Sequence, residues 1–142
     1  MVRKVNSNTY ENGDVSAIGG NSVVFTNKKF VAKDGGFLIL ATVLLPIVGK
    51  CKENATMAAD NQTVDQVRVV YEEQKLQNTR EVEITGGTIT QADEGKYYNL
   101  TNADTVDGTS ESATHGQLQL VKFIGSAIGL FKIVNKEEDL IS

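Results

Sequence analysis

The sequence predicts an all-β fold, a small barrel or sandwich of about eight short strands with at most one or two helical turns. Three observations carry this. Short runs of β-branched and aromatic residues are separated by clusters of Gly, Asn and Asp. The 13 glycines and single proline among 142 residues imply many tight turns. Two stretches, Arg80–Thr85 and Gln117–Ile124, alternate with a period of two. No helical pattern of roughly 10–15 residues lies between the strands, as a parallel α/β sheet would require.

Residues 1–22 are polar, with scattered apolar positions at Val2, Val5, Tyr10, Val15 and Ile18. They read as an extended arm, either frayed or ordered against a partner. From Val23 the pattern changes. Val23–Thr26 is a short strand, Asn27-Lys28-Lys29 a turn, and Phe30-Val31-Ala32 a returning strand. Asp34-Gly35-Gly36 is a strong turn signal. Phe37–Leu45 fits a buried strand, although its leucines leave a short helix open. Pro46 cannot donate a ladder hydrogen bond and marks a break before a further strand at Ile47–Lys52.

Ala55–Ala59 has local helix potential and leads into a polar loop, followed by a strand at Val67–Tyr71. Glu72–Asn78 is a charged connection. Arg80–Thr85 puts Val82 and Ile84 on one face and Glu81 and Glu83 on the other. Thr90 can cap one helical turn through its hydroxyl, with Asp93 three positions on and Gly95 ending it. Tyr97, Tyr98 and Leu100 continue as a strand. Residues 101–116 read as a long surface loop with a turn at Asp107-Gly108. Gln117–Ile124 and Leu130–Val134 form a hairpin turned by Gly125–Gly129. The expected organisation is an arm over 1–22, one β domain over 23–136 and a short acidic tail over 137–142, with no internal repeat.

Composition narrows the function classes. A net charge of −4 and only three arginines, Arg3, Arg68 and Arg80, speak against nucleic acid, whose affinity comes mainly from basic residues neutralising phosphates. Cys51 is the only cysteine, so neither an intrachain disulfide nor a cysteine zinc cluster can form. It follows an apolar run and reads as a small buried hydrophobe. The only histidine, His115, lies in a turn-like Thr-His-Gly, and no Gly-x-Ser-x-Gly elbow is present. The acid pairs Asp93/Glu94, Glu72/Glu73 and Asp104/Asp107 read as solvated surface. Residues 102–111 are oxygen-rich but lack the calcium-loop spacing. Gly19-Gly20 and Gly86-Gly87 lack the Lys-Ser/Thr of a phosphate loop. The longest apolar run, Phe37–Val48, is too short to span a bilayer. The charged N-terminus has no apolar stretch behind it, so no secretory signal is expected. The sequons at Asn54, Asn61 and Asn99 then read as chance products of an Asn/Thr-rich chain.

From Ala55 to Val134 the chain resembles the capsid decoration, or cement, proteins of tailed bacteriophages. The resemblance lies in ATMAADNQTVDQVRVVYEE, GGTITQADEGKYYNLTNADTVDG and SESATHGQLQLVKFIGSAIGLFKIV, most specifically in TQADEGKYYNL and GQLQLVKF. It implies a virion structural protein on the outer capsid surface, with no enzyme activity, cofactor or metal. The implied partner is the major capsid protein; such proteins occur as homo-oligomers, trimers among them, and as monomers, and the sequence leaves the oligomeric state open. An extended terminal arm is implied too; its candidate capsid contacts are Val2, Arg3, Lys4, Val5 and Tyr10. Two other readings stay open. One is a different virion β-module, such as a head-fibre base or tail component. The other is a non-viral carbohydrate- or ligand-binding β-domain, which needs Tyr97, Tyr98 and Tyr10 exposed together.

Overall fold

A computed structural model describes residues 4–6, 9–10, 14–42, 45–73, 79–125 and 127–136. The expected acidic tail over 137–142 lies outside the described residues. The fold is all-β. The described residues hold fourteen strands and one 3₁₀ turn, η1 (Gln91–Asp93). They form two compact units, Met1–Leu40 with Val48–Gln74, and Ala41–Ile47 with Lys75–Ser142.

Unit 1 is built on a seven-stranded sheet in the order β1 (Lys4–Asn6), β2 (Thr9–Tyr10), β3 (Asp14–Ile18), β9 (Arg68–Glu73), β7 (Ile47–Cys51), β5 (Phe30–Asp34) and β6 (Phe37–Leu40). β4 (Val24–Phe25) pairs separately with β8 (Ala55–Thr56). The Phe30–Asp34/Phe37–Leu40 hairpin turns on Gly35 and Gly36, whose φ values of 60° and 89° suit the mirror-image turns that match strand twist. The sheet curls until β6 meets the end of β3 again. Gly19 bridges Leu38 in parallel, and the Gly20 N–H donates to the Leu38 carbonyl at 2.8 Å. Val15, Ala17, Phe25, Val31, Leu38, Cys51, Met57, Val69 and Tyr71 form the buried cluster this curl encloses.

Unit 2 is a closed five-stranded barrel in the order β10 (Arg80–Thr85), β12 (Thr105–Ser112), β11 (Tyr97–Asn102), β13 (Gly116–Gly125) and β14 (Ile128–Lys136). Its buried apolar residues include Val82, Ile84, Tyr98, Leu100, Val106, Leu118, Leu120 and Phe131. The Tyr98 and Phe131 rings meet edge to face at 6.0 Å.

The two units share one topology. In unit 2, β10 runs parallel to β12, and the remaining neighbours β12/β11, β11/β13, β13/β14 and β14/β10 are antiparallel. In unit 1, β3, β5, β6, β7 and β9 take the places of β10, β11, β12, β13 and β14, again with the first and third strands parallel where they touch. Details repeat as well. Lys28 N–H donates to Cys51 O and Cys51 N–H to Lys29 O, both at 2.8 Å. Gly95 N–H donates to Leu120 O at 2.8 Å and Leu120 N–H to Lys96 O at 2.9 Å. Lys28 and Gly95 both have positive φ, 78° and 92°. One spacing separates Gly19 from Gly86, Gly20 from Gly87, Lys28 from Gly95 and Phe30 from Tyr97.

Several sequence expectations change here. A structural repeat is present where none was read. Its sequence trace is faint because each core asks only for apolar side chains at inward positions. The boundary expected at residue 22 falls inside unit 1, because Asp14–Ile18 pairs with β9 along its length and buries Val15, Ser16 and Ala17. The long loop expected over 101–116 instead contains β12, and the Asp107-Gly108 turn signal lies within that strand. Ala55–Ala59 holds no helix; Ala55–Thr56 is β8. The strand expected through Leu45 ends at Leu40.

Candidate interaction surface

The arm residues carry the sequence-based site. Val2 and Arg3 lie outside the described residues. Lys4 and Val5 belong to β1 and Tyr10 to β2; the two strands form an antiparallel ladder, Lys4 opposite Tyr10 and Asn6 opposite Thr9. Thr9 in turn stands opposite Val15 of β3. The arm is therefore drawn into unit 1 as added strands, and β1 is a terminal strand of the sheet.

The two units differ most in the connection before their last strand. In unit 2, β13 passes to β14 through residues 126–127. In unit 1, residues 52–67 fill that place and carry β8. A fully buried Asn61 holds this insertion: its Nδ2 donates to Gly19 O at 2.9 Å and to Val67 O at 3.2 Å, and its Oδ1 accepts from Val67 N–H at 2.9 Å. Asn21 and Gln62 exchange two further bonds, at 2.8 and 3.1 Å. Val64 and Val67, on this insertion, and Val24, on the connection that carries β4, are exposed large hydrophobics. An insertion that is both pinned and apolar at its surface is a better contact surface than a mobile loop, because less entropy is lost on binding. Sequence reading missed it because 53–65 looks like an ordinary polar loop.

The chemistry-bearing residues of unit 2 are engaged internally. Asp93 accepts from Thr90 N–H at 2.9 Å and from Lys96 Nζ at 3.0 Å. Thr90 and Asp93 close η1 as a capping box, the Asp93 carboxylate accepting from the Thr90 backbone N–H. That backbone bond, with Lys96 beside it, holds the Asp93 carboxyl below its ordinary range. Lys96 also donates to Glu111 Oε2 at 2.8 Å, and its hydrogen bonds to Glu111 and Asp93 keep its ammonium charged above its ordinary range. The Tyr98 hydroxyl donates to Glu111 Oε1 at 3.4 Å, and burial of the ring, with nearby Asp93 and Glu111, pushes its pKa up. This is a compensated ion cluster with each carboxylate already in use. Glu94 accepts from Phe123 N–H at 2.8 Å, so the Asp93/Glu94 pair is split between two tasks.

The other candidates are likewise apart. Glu72 and Glu73 are successive strand residues and point to opposite faces. Asp107 accepts from Thr109 N–H and hydroxyl, and Asp104 from the Thr105 hydroxyl. Among the described residues, no group of three or more His, Cys, Asp and Glu could hold a metal ion. His115 Nδ1 lies 2.9 Å from the Thr114 hydroxyl. Cys51 is buried, and burial raises its thiol pKa. No helix among the described residues is long and apolar enough to cross a membrane. Of the tyrosines a ligand site would need exposed, Tyr98 is fully buried and the ammonium of Lys136 lies over the Tyr97 ring at 5.1 Å.

No family model matches the chain, and no curated protein or solved structure matches it significantly.

Proposed function

We propose that this protein is a virion structural protein that binds the outside of an assembled bacteriophage capsid and stabilises it. The observation that carries this reading is the resemblance of residues 55–134 to capsid decoration proteins. Two features are consistent with it. The arm strands Lys4–Asn6 and Thr9–Tyr10 already add to a sheet, the mode by which an extended segment binds through main-chain bonds. The pinned insertion of unit 1 exposes Val64 and Val67, which suit a contact that acts by burial rather than chemistry. A partner that binds only the assembled shell stabilises that shell by mass action, and many copies make each contact's demand modest.

The test is co-sedimentation of the purified protein with undecorated heads of its cognate phage, followed by heating of the particles. Saturable binding at regular surface positions and a raised disruption temperature are expected. Absence of binding to the cognate shell overturns the reading; binding confined to fibre or tail attachment points replaces it with the other virion module.

A further inference from the structure

The insertion gives unit 1 a two-stranded ribbon in the place where unit 2 passes from β13 to β14 through residues 126–127. Its centre is the β4/β8 pair, with Val24 opposite Thr56 and Phe25 opposite Ala55. Further bonds lengthen it in both directions. Ser22 N–H donates to Ala58 O at 3.0 Å and Met57 N–H to Val23 O at 2.8 Å. Toward the other end, Asn27 N–H donates to Asn54 Oδ1 at 2.9 Å and Lys28 N–H to Cys51 O at 2.8 Å. Bonds at both ends hold the ribbon in shape before any partner arrives, so little ordering entropy is lost on contact.

The two faces of this ribbon are unlike. Phe25 and Met57 are buried in the unit 1 core cluster, and Val23 and Ala55 pack against it. The alternate residues Val24, Thr26, Thr56 and Ala58 are exposed, small and uncharged, Val24 at 56%. Charge sits at the ends. Exposed Lys28 and Lys52 stand at one end. At the other, exposed Asp60 and Asp65 lie in the turn after Ala58, where Val64 N–H donates to Asp60 O at 3.0 Å. Glu53, beside Lys52, is turned inward, its Oε2 accepting from Val70 N–H at 2.6 Å. At about 3.3 Å per residue the ends are about 20 Å apart, beyond the screening length of about 10 Å, so they act as separate charges. Lys28 has φ 78°, the bulge conformation that Gly95 takes at 92° in unit 2. Glycine adopts it freely and lysine does not, so unit 1 keeps a cation there against the backbone preference.

We propose that the outer face of this ribbon is the contact between two copies of the protein, packed face to face about a two-fold axis through its middle. The two-fold lays the Lys28/Lys52 end of each copy on the Asp60/Asp65 end of the other. The small side chains between them let the two backbones approach closely. The same-direction arrangement would set like charges against like. The contact is isologous and therefore closes at two copies. A two-stranded face of this length is smaller than a standard interface, which makes the dimer weak and reversible. The pairing stands independently of the capsid reading, since it concerns copies of this chain alone.

The experiment uses the full chain and two charge-reversed forms, Lys28→Glu/Lys52→Glu and Asp60→Lys/Asp65→Lys, each checked for wild-type thermal unfolding. Sedimentation velocity from about 10 μM to 1 mM should show a reversible monomer–dimer equilibrium of the wild type and no larger species. Each reversed form alone should dimerise at least about tenfold more weakly, and an equimolar mixture of the two should recover dimers, because acidic ends then meet basic ones. Weakening of the second form cannot come from net charge, which it brings from −4 to zero. Val24→Asp, near the axis, brings two like charges together and should also weaken the dimer at least about tenfold. A wild type that stays monomeric across this range overturns the proposal. So does growth past the dimer, association that ignores the substitutions, or a mixture no stronger than its parts. Head binding measured on the same proteins reports separately on the capsid reading.

Discussion

Units 1 and 2 lay the same five strands around a core, yet they reach that arrangement by different local chemistry. The hairpin joining the second and third strands is made in unit 1 by Gly35 and Gly36 in left-handed conformations. In unit 2 the Asn102 side chain accepts from Asp104 N–H at 3.0 Å, an Asx turn that needs no glycine. The inward position shared by Cys51 and Leu120 differs in volume, and a tyrosine in unit 1, Tyr71, faces it where unit 2 has Phe131. Polar anchoring differs too. Asn61 ties the insertion of unit 1 to Gly19, whereas unit 2 has the fully buried Gln117. Its Oε1 accepts from Leu100 N–H at 2.9 Å; its Nε2 donates to Thr42 O at 2.7 Å and Leu45 O at 2.5 Å. Asn135 adds a two-bond clasp on Ile47, each at 2.8 Å. What the topology demands is thus small: a parallel first–third contact and inward apolar residues. The remainder is solved separately in each unit.

The largest expected effect that tests this separateness is Gln117→Leu. The substitution leaves a buried N–H and two carbonyls without their partner, at about 1–3 kcal/mol for each unsatisfied group, so a loss of at least about 3 kcal/mol is expected in unit 2. Hydrogen exchange should accelerate in β11 and β13 while the Cys51 thiol of unit 1 stays protected; equal exposure of Cys51 would show that the units open together.

Glycine contacts give a matched pair. A Cβ on Gly49 would lie 1.9 Å from Glu72 O between β7 and β9, and one on Gly108 would lie 2.2 Å from Gly86 O between β12 and the end of β10. Gly49→Ala and Gly108→Ala should each cost about 1–3 kcal/mol, read in denaturant melts. Thiol labelling of Cys51 should respond to the first and not the second.

Asn61→Ala should cost about 1–2 kcal/mol and raise amide exchange at Val67 while β3–β9 amides keep their protection. A drop spread over the whole of unit 1 would mean the insertion is part of its core.

The smallest effect concerns pH. Asp93 has its carboxyl pKa lowered in the fold, first by the Thr90 N–H and then by Lys96, from an ordinary value of 3.8. Its contribution is therefore complete above the ordinary value and is lost as pH falls through the lower folded one. Asp93→Asn should flatten the acid side of the unit 2 stability profile below about pH 4 and leave thiol protection in unit 1 unchanged. Lys96, shifted upward, keeps its full contribution through neutral pH, so no alkaline loss should accompany it in the ordinary range.

Much of this was legible in the sequence where strand chemistry is local. The alternation of Val82 and Ile84, the Gly35-Gly36 turn, the Thr90–Asp93 turn and the terminal hairpin all appear as read. β12 was hidden because its strand is irregular and self-bonded: Ser110 Oγ accepts from Asn99 N–H at 2.8 Å and donates to Asp107 O at 2.6 Å. Such hydroxyls look like a loop when only hydrophobic alternation is followed. β3 was hidden by its shortness and by Ser16, whose hydroxyl accepts from Arg68 Nε at 3.0 Å. The contact surface on the unit 1 insertion was hardly legible, since residues 52–67 look like an ordinary polar connection and nothing local marks Asn61 as its buried anchor.

Cys51 gives the molecule an internal witness. The chain has one cysteine and it is buried in the core cluster of unit 1, its Sγ donating to Glu53 O at 3.0 Å. With no tryptophan to compete as a probe, the rate at which that sulfur reacts is a clock on one half of the molecule alone. If shell binding tightens unit 1, the clock slows; if it engages only the barrel, the clock keeps its time. A single thiol can thus say which half of a repeated fold has been put to use.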